Sequence, residues 1–420
     1  MKPYSGFEKF FARALSAVPG IKEQVKKAYR AINYYANTNK RPFLSDYKVT
    51  KAAANEHEAF FGYYDKTPEN STATFLVYHC ASHPTHVKPE PNKPIAIKLK
   101  DLHSKEERVA GQSLAYNWQQ GTKLQWLSNN TFIYNLFDED KGSYRARIFD
   151  ASLKKETALI DYPIYDCFND DFALSLNFDR LAQLRPDYGY RNLKKQSSLN
   201  DNKNDGLFYI DLSQNKTHLL VSLQDIVNIS YHASMAEAKH KVNHIMISPG
   251  GQRFIFLHRW FLKSGNRIDR LLVADTSGKT IKVLADDGMV SHCCWLDNTK
   301  VIAYMRHQSH GNAFYKICIN TSSVELLSEK IQYVGDGHPS IYNNKMLFDS
   351  YPDRAGMKHL FVFDLNKQEL EILGSFLEPL RFYGETRCDL HPRWSRDGNS
   401  IYFDSVHEGK RGLYRLSLKP

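Results

Sequence analysis

Short stretches of alternating apolar and polar residues, each interrupted by a turn, recur along most of the chain. A clear example is RCDLHPRWSRDGNSIYFDS, residues 387–405. Its Asp397-Gly398 pair is a hairpin turn signal, and the IYF run at 401–403 has high β-propensity. The front of the stretch is less ordinary, because a cysteine, an aspartate and a histidine crowd together just ahead of the strand pair.

Relatives of this hairpin appear elsewhere at spacings of about forty to fifty residues. They are HIMISPGGQRFIFLH from His244, HCCWLDNTKVIAYM from His292 and HPSIYNNKMLFDSY from His338, with looser matches at 124–137 and 165–178. Most are followed by a second strand pair ending in an acidic turn. Four strands per unit at this period are typical of a β-propeller. We therefore predict an all-β fold, a seven-bladed β-propeller.

The helical pattern is confined to the N-terminus, so we divide the chain into a basic amphipathic segment, 1–48, and a propeller, 49–420. Residues 5–18 open with a capping box and place apolar side chains on one face, until Pro19-Gly20 breaks the pattern. A second helical pattern follows over 21–35. The pair predicts either a helical hairpin packed on the propeller or a peripheral anchor on an anionic membrane surface.

Charge and composition narrow the function classes. Residues 1–48 hold ten Lys/Arg and three Asp/Glu, a net +7 of the +10 carried by the whole chain. The folded body is therefore nearly balanced, which argues against a nucleic-acid partner. No apolar run is long enough to span a membrane, and the N-terminus has no clean secretory core. Six irregularly spaced cysteines do not form a disulfide framework, so we expect a cytoplasmic location, peripheral at the inner face of the membrane if the anchor is used.

Four histidines share one position in the repeat. His244, His292, His338 and His391 align without gaps, with the turn pair following in each. The first strand of each propeller blade lines the central channel, so equivalent positions near its end form a ring around the channel mouth. Core packing would not select four imidazoles there. They fit either a divalent transition metal or general acid–base chemistry.

Cysteines lie next to two of these histidines. Cys388 precedes His391 by three residues, and Cys293 and Cys294 follow His292. A mixed cysteine and histidine set favours zinc, whereas histidine with oxygen ligands favours manganese or a similar ion. The sequence leaves this choice open.

Further polar side chains are placed in the segments that the same fold would aim at the mouth. An insertion in blade three, SLNFDRLAQLRPDYGYRN (175–192), carries arginines and tyrosines, a combination that binds carboxylates or sulfates and stacks on sugar rings. FLHRWFLKSGNR (256–267) adds Arg259. The residues that we expect to contact substrate are Tyr64, Gln119, Gln120, Arg180 and Tyr190.

The motifs HIMISPGG, SHCCW, GDGHPS, RCDLHPRWSRDG and HEG (407–409) resemble those of carbohydrate-active propellers of the oligogalacturonate lyase and ulvan lyase type. The resemblance covers most of 55–420 as scattered motifs, and the chain also looks like proteins of bacterial capsule polysaccharide clusters. It implies a seven-bladed fold, a metal held by histidines near the channel, and β-elimination at a uronic acid. The metal set that it implies is His292, His338, Cys388 and His391. The residues that it implies for proton transfer and carboxylate neutralisation are His244, Tyr188, Arg185 and Arg259.

The leading hypothesis is therefore a propeller that acts on an acidic, uronate-containing polysaccharide by metal-assisted β-elimination, with zinc or manganese as cofactor. An alternative is a non-catalytic glycan-binding or scaffold protein in cytoplasmic surface-polysaccharide assembly, tethered by the N-terminal segment. A second alternative is a sugar-transferring enzyme of that pathway, although no Gly-rich nucleotide-binding turn follows a strand.

Overall fold

Seven antiparallel sheets form the body of the molecule, which confirms the predicted seven-bladed β-propeller. The computed structural model describes residues 19–36, 41–54 and 57–419. The first strands of neighbouring blades contact one another, for example Val290–Trp295 with Ser340–Tyr342, and Ser340–Tyr342 with Arg393–Trp394. These first strands therefore line the centre of the molecule, where the histidine register was expected.

The blades follow one another along the chain, and each is built from consecutive strands. Blade one contains Glu58–Phe60, Phe75–Ala81, Ile95–Asp101 and Glu107–Ser113. Blade two contains Gln125–Trp126, Thr131–Asp138, Ser143–Asp150 and Lys155–Ile160. Blade three contains Asp166–Phe168, Phe172–Ser175, Gly206–Asp211 and Lys216–Ser222. Blade four contains Lys239–Ile247, Arg253–Phe261, Arg267–Asp275 and Ile281–Ala285. Blade five contains Val290–Trp295, Lys300–His307, Gly311–Cys318 and Val324–Leu326.

The last two blades each take one strand from the N-terminal part of the chain. Blade six contains Ser340–Tyr342, Lys345–Asp349, Met357–Asp364 and Glu369–Leu377, and Phe43–Leu44 pairs with its outer strand. Blade seven contains Arg393–Trp394, Ser400–Ser405 and Gly412–Ser417, and Lys48–Lys51 supplies its outermost strand. The first and last parts of the propeller are thus held together by backbone hydrogen bonds. The predicted boundary at 48/49 falls inside this closing region, because the 43–44 strand also belongs to the propeller.

The middle strands explain why the blades stack. In blade four, all residues from Phe254 to Trp260 are buried, and so are those from Asp269 to Ala274. Strands covered on both faces carry near-continuous apolar runs rather than strict alternation. Blade faces therefore pack against neighbouring blades.

Helices occupy few of the described residues: Pro19–Ala36, Phe178–Leu184 and Leu223–Asn228, with short 3₁₀ turns at Ala233–Met235, Glu329–Val334 and Gly384–Thr386. The N-terminal helix docks on the propeller through Arg30, whose guanidinium donates to the Glu378 carboxylate at 3.1 Å and to the Phe382 carbonyl. The first helix of the predicted hairpin lies outside the described residues. None of the helices in the described ranges is both long and apolar enough to cross a membrane.

The insertion in blade three starts as a helix. Asn177 caps Phe178–Leu184 by accepting from the backbone N–H groups of Asp179 and Arg180, and the helix ends at Arg185. The chain then passes beside His244, where the Tyr188 ring lies 5.8 Å away, before it returns to the sheet at Gly206. This insertion brings arginine and tyrosine side chains to the histidine ring.

Candidate functional site

The four histidines of the repeat come together in space. Ring centroids of His244 and His292 are 5.8 Å apart, those of His292 and His338 are 4.0 Å apart, and those of His338 and His391 are 4.3 Å apart. All four side chains are buried. The Tyr63 ring from blade one contacts three of them, at 5.3 Å from His244, 6.1 Å from His338 and 5.0 Å from His391. Blades four to seven and blade one thus contribute to one cluster.

Irregular backbone aims these imidazoles. The strand register shifts between Asn243 and Met246, next to His244, and between Val290 and Cys293, around His292. His244 and His391 also have positive φ angles, 52° and 43°. Bulges and left-handed residues re-aim side chains at the cost of local strain, and both are common at functional sites.

Asp349 holds His338 in one orientation. Its Oδ1 accepts from the backbone N–H of His338 at 2.9 Å and lies 2.8 Å from the ring Nδ1, while Oδ2 accepts from the backbone N–H of His391 at 3.1 Å. Burial works against the charged imidazole, but the Asp349 carboxylate outweighs it and raises the pKa of His338. When the imidazole is neutral and its Nδ1–H is donated to Asp349, Nε2 of His338 carries the lone pair that a metal would use.

His292 repeats the same arrangement on the neighbouring blade. Its Nδ1 lies 3.0 Å from Oδ1 of Asp336, whose Oδ2 accepts from the Ser291 hydroxyl at 2.6 Å. Burial and the neighbouring His338 lower the pKa of His292 despite this carboxylate. A carboxylate behind an imidazole fixes its tautomer, which is the usual outer-shell pattern of metal-binding histidines.

Three of the clustered residues fit a metal ion. His338, Asp389 and His391 each offer a ligand atom, and these atoms all lie within 4.8 Å of one another. Among the described residues, Nε2 of His338 and Nε2 of His391 have no hydrogen-bond partner although both are buried. Buried polar atoms normally have partners, so two unpaired ring nitrogens beside a carboxylate fit the ligand set of a cation. Two imidazoles and a carboxylate suit a divalent transition metal and leave positions open.

The Asp389 carboxylate is ionised in this environment. Lys358 Nζ donates to its Oδ1 at 2.9 Å and Arg387 Nε donates to its Oδ2 at 2.7 Å. Burial opposes ionisation, but Arg387 and then Lys358 outweigh burial and hold the pKa of Asp389 well below its usual range. The two cations also balance its charge, so the carboxylate is stable in the core without a metal.

The structure brings Asp389 to the imidazoles where we expected Cys388. The Cys388 side chain packs with Phe382 and Val406, and burial raises the pKa of its thiol to about 12. A spacing of three places side chains on one side only in a helix, and residues 387–392 are not helical. Cys388 and its neighbour Asp389 therefore point in different directions. Cys293, also buried, packs in another part of the core.

His244 forms a pair with Tyr63. The Tyr63 hydroxyl lies 2.6 Å from His244 Nδ1, and the two rings stack with an interplanar angle of 20°. Burial, then the Arg259 charge, holds the pKa of His244 well below the usual histidine value, so its imidazole is neutral. Burial likewise raises the pKa of Tyr63. A neutral imidazole with one nitrogen fixed by a hydroxyl is the form that a general base requires.

Two residues from other blades fix the His244 backbone, Tyr165 directly and Gln120 through Tyr165. The Tyr165 hydroxyl accepts from the backbone N–H of His244 at 3.1 Å, and Gln120 Nε2 donates to the same hydroxyl at 3.0 Å. Gln120 thus acts on the cluster through Tyr165. The neighbouring Gln119 is directed elsewhere, since its Nε2 donates to the Arg387 carbonyl at 2.8 Å.

The blade-three insertion places Tyr188 beside the cluster. Its ring lies 5.8 Å from His244, and its hydroxyl accepts from Arg387 at 3.3 Å. Arg185 stacks over the ring at 5.2 Å, and both arginines pair with Asp187, at 2.8 Å for Arg185 and 2.7 Å for Arg387. The structure therefore brings Tyr188 and Arg185 to the histidines, as expected.

Arg259 approaches from blade four. Its Nε lies 3.1 Å from the Asp269 carboxylate, and its Nη2 donates to the Val290 carbonyl at 3.2 Å, two residues before His292. The side chain is buried, and its charge is one of those that lower the pKa of His244. This position is consistent with the expected contact to an anionic group.

Three expected substrate contacts are instead part of the core. Arg180 pairs with Asp205 at 2.5 Å and donates to four backbone carbonyls, so its donors are satisfied by the protein. The Tyr190 hydroxyl accepts from Asn135 at 3.0 Å in a fully buried site. Tyr64 contacts His292 and His338 with its ring, but its hydroxyl donates to the Cys293 carbonyl at 2.8 Å. Of the three, Tyr64 is the one that contacts the histidine cluster.

The sequence alone did not lead us to the carboxylates that lie beside the histidines. Asp336 lies in GDGHPS, two residues before His338, and Asp349 ends the following strand. Asp389 stands inside the RCDLHP motif itself. The D-x-H spacing in both motifs was the available signal.

The fold and the site together define a seven-bladed β-propeller with a histidine and carboxylate cluster at its centre. No family model matches the sequence, and no curated protein matches it. Among solved structures, an oligogalacturonate lyase from Vibrio parahaemolyticus matches with a TM-score of 0.60 and 12% identity, over 89% of this chain and 96% of that one. An oligogalacturonate lyase in complex with manganese matches with a TM-score of 0.59 and 14% identity, over 90% and 97%. The tricorn protease matches less well, with a TM-score of 0.48 and 10% identity over 87% of this chain and 34% of that one.

At these identities the likeness is one of fold. It nevertheless extends over nearly the whole of both lyase chains, and one of the two lyases is described with a bound divalent metal.

Proposed function

We propose that the protein cleaves an acidic, uronate-containing oligo- or polysaccharide by β-elimination. The observation that carries this proposal is the neutral His244, paired with Tyr63 and flanked by Tyr188, Arg185 and Arg259. Such a reaction needs a base for the C5 proton, an acid for the leaving oxygen and positive charge for the uronate carboxylate. All three kinds of group occur in this cluster, and the fold is shared with two oligogalacturonate lyases.

His244 is assigned the role of base. When its Nδ1–H donates to the Tyr63 oxygen, Nε2 has the lone pair that takes the C5 proton of the uronate. The C4–C5 double bond then forms as the C4–O bond breaks. Tyr165 holds the backbone of His244, so the imidazole does not have to reorganise as the proton moves.

Tyr188 is assigned the role of acid toward the leaving oxygen. Arg387 donates to its hydroxyl, and the Arg185 guanidinium stacks on its ring. Adjacent positive charge stabilises the phenolate that remains after the proton is given up. Arg185 and Arg259 are assigned to the uronate carboxylate, since a guanidinium binds a carboxylate through two parallel hydrogen bonds.

A divalent metal is part of the proposal, with zinc and manganese as the candidates. His338, Asp389 and His391 would hold it, and His292 lies next to His338 on the preceding blade. Nitrogen and oxygen ligands favour manganese over zinc. They argue more strongly against a zinc site with thiolate ligands. Once bound, the ion would supply positive charge that stabilises the substrate carboxylate as negative charge develops.

The test is a lyase assay on a panel of acidic glycans that includes oligogalacturonates. Unsaturated uronate products absorb in the ultraviolet, so cleavage is followed directly, with added Mn²⁺, with added Zn²⁺ and with chelator. The expected result is metal-dependent product formation that His244→Ala abolishes and that the surface variant His103→Ala leaves unchanged. A glycan that binds but is never cleaved would contradict the lyase assignment and favour a non-catalytic glycan-binding role.

The N-terminal segment supports a separate proposal, peripheral association with an anionic membrane surface at the cytoplasmic side. Residues 1–48 carry most of the net charge. On the described helix, Ile32 and Tyr35 are 69% and 72% exposed, while Arg30 faces the propeller. A basic segment with outward apolar side chains binds anionic lipid through electrostatic attraction and through burial of its apolar side chains.

A further inference from the structure

A buried lysine stands beside the proposed base. Lys241 lies on the first strand of blade four, three residues before His244, and its side chain is 1% exposed. Among the described residues its Nζ has no hydrogen-bond partner. An ammonium group that is removed from water without a partner is costly, and folded proteins rarely retain one.

Lys358, another buried lysine near the cluster, shows the bonds that a buried amine normally makes. Lys358 is equally buried, and its Nζ donates to Glu378, to Asp389 and to the Cys388 carbonyl, each at 2.9 Å. Lys358 therefore has three acceptors and two counter-charges. Lys241 lacks such a set, so packing alone does not account for an amine at this position.

The surroundings of Lys241 are rich in positive charge. Lys241 is the cross-strand partner of Arg259, which is in turn the partner of Asp269 on the third strand. Asp269 already pairs with both Arg259 at 3.1 Å and Arg267 at 2.8 Å. Arg185 of the blade-three insertion adds a further charge, and it pairs with Asp187 rather than with Asp269.

This arrangement leaves the amine short of an anion. Burial, then the charges of Arg259, Arg185 and Arg267, lowers the pKa of Lys241 well below the usual lysine value, whereas Asp269 acts in the opposite direction. His244 lies three residues further along the same strand, and the charged form of Lys241 lowers its pKa. A cluster of cations with one shared carboxylate is electrostatically prepared for a negatively charged ligand.

We propose that Lys241, together with Arg259, forms an oxyanion subsite that takes one carboxylate or sulfate ester of the glycan and binds a proton as it does so. The identity of the ligand as a glycan rests on the proposed function, whereas the anion site itself does not. Burial without a hydrogen-bonded counter-charge favours the neutral amine of Lys241 in the free protein. The entering anion supplies the missing counter-charge, and the amine takes one proton from solvent to form the ammonium that pairs with it.

Calorimetric titration with inorganic sulfate tests the subsite without any need for catalysis. Titrations at pH 7 in two buffers of different ionisation enthalpy give the number of protons taken up. We expect about one proton per bound sulfate in the wild-type chain, because binding restores the charged form. We expect Lys241→Met to bind sulfate at least about ten-fold more weakly, with no proton uptake, since it loses a charge-assisted hydrogen bond.

The matched control is Lys100→Met, which removes a half-buried lysine that pairs with Glu107 on blade one. It should behave as wild type. Wild-type protein that binds no sulfate, or binds it without proton uptake, overturns the proposal, and so does a Lys241→Met protein that keeps both. If sulfate binding follows the expected pattern and no acidic glycan is cleaved, the subsite stands and the lyase assignment fails.

Thermal unfolding separates this role from a structural one. Because the amine is buried without a partner, Lys241→Met should raise the melting temperature of the anion-free protein, and the wild-type chain alone should be stabilised further by sulfate. A lower melting temperature in the variant, together with unchanged sulfate binding, would assign Lys241 to packing.

Discussion

Asp349 accepts both N–H groups of His338, the backbone amide at 2.9 Å and the ring Nδ1 at 2.8 Å. A single carboxylate therefore fixes the position of this histidine, its ring orientation and its tautomer. The second oxygen of Asp349 accepts from the backbone N–H of His391 and fixes the position of that backbone. Two candidate metal ligands from adjacent blades are thus tied to one side chain that touches no solvent.

This arrangement predicts the effect of Asp349→Asn. The amide keeps the shape of the side chain but can no longer accept at both positions, so the His338 tautomer is released. We expect Mn²⁺ or Zn²⁺ to bind about 10- to 100-fold more weakly, the usual effect of removing such an outer-shell partner. Calorimetric titration of the metal-free protein measures this. Asp211→Asn, in an exposed turn of blade three, is the control, and equal affinities for the two variants would contradict the assignment.

The metal set predicts opposite outcomes for His391→Ala and Cys388→Ala. His391→Ala should lose bound metal and lower the melting temperature of the metal-loaded protein, because an ion bound only by the folded state stabilises it through mass action. Cys388→Ala should keep its metal and lose only about 1–2 kcal/mol through the cavity it leaves among Phe382 and Val406. His244→Ala should also keep the metal.

Elemental analysis of the purified proteins decides between these outcomes. Absence of a divalent metal from the wild-type chain after loading, or full occupancy in His391→Ala, would remove the site. Metal loss in Cys388→Ala would instead restore the cysteine to the ligand set that the sequence predicted.

The contrast between Cys388 and Asp389 shows how far the sequence alone could be taken. The strand pattern and the repeat are local and periodic, so they determined seven blades and the histidine register without a structure. Side-chain direction in an irregular segment is set by the backbone angles of that segment, which a three-residue spacing does not reveal. Asp336 lies in a motif next to His338 but bonds to His292 of the preceding blade, and Asp349 comes from a position without a motif. Only the closed propeller brings these carboxylates behind the imidazoles.

Arg180 illustrates a second limit. It lies in an insertion rich in arginine and tyrosine, and the insertion uses this guanidinium to bind its own backbone carbonyls at Ser198, Leu199 and Asp201. Tyr188, eight residues later, reaches the histidines instead. Composition identified the segment, and tertiary packing decided which of its side chains were free to act.

Tyr165→Phe is expected to slow the reaction without removing the metal. The variant deletes the hydroxyl that accepts from the His244 backbone, so the residue loses one restraint on its positive φ angle. The loss of a neutral hydrogen bond of about 1 kcal/mol corresponds to a five- to ten-fold lower kcat, with KM nearly unchanged. Steady-state kinetics with metal analysis on the same samples checks this. A change in KM alone would show that Tyr165 acts on substrate binding rather than on the base.

His79 predicts a pH dependence of stability that is independent of the metal. The ring is buried against Phe60 and accepts from the Thr122 backbone, and burial lowers its pKa to about 3. In the unfolded chain the same imidazole takes a proton below about pH 6.5. The folded state does not, so stability is present above pH 6.5 and is lost as the pH falls toward 3. The loss from this residue is about 1.4 kcal/mol per pH unit.

Urea unfolding of metal-free protein between pH 4 and 6 measures that slope. His79→Asn should be less stable at pH 7 and should show a slope smaller than wild type by about 1.4 kcal/mol per pH unit, since asparagine does not titrate. Parallel wild-type and variant curves over this range would mean that His79 takes a proton in the folded state.

The last prediction concerns the N-terminal segment. Removal of residues 1–40 should leave a folded propeller, because the strands Phe43–Leu44 and Lys48–Lys51, which pair with blades six and seven, are kept. The loss of the Arg30 contacts should cost little, since Glu378 still accepts from Lys358 and from the backbone N–H of Cys388. The truncated chain should bind anionic vesicles more weakly than the full chain, and neither should bind neutral vesicles, because the segment supplies most of the net positive charge. Cosedimentation at low and high salt measures vesicle binding and the electrostatic part of it. If the truncated chain aggregates and the full chain ignores anionic vesicles, the segment is a packing element of the propeller and the membrane proposal fails.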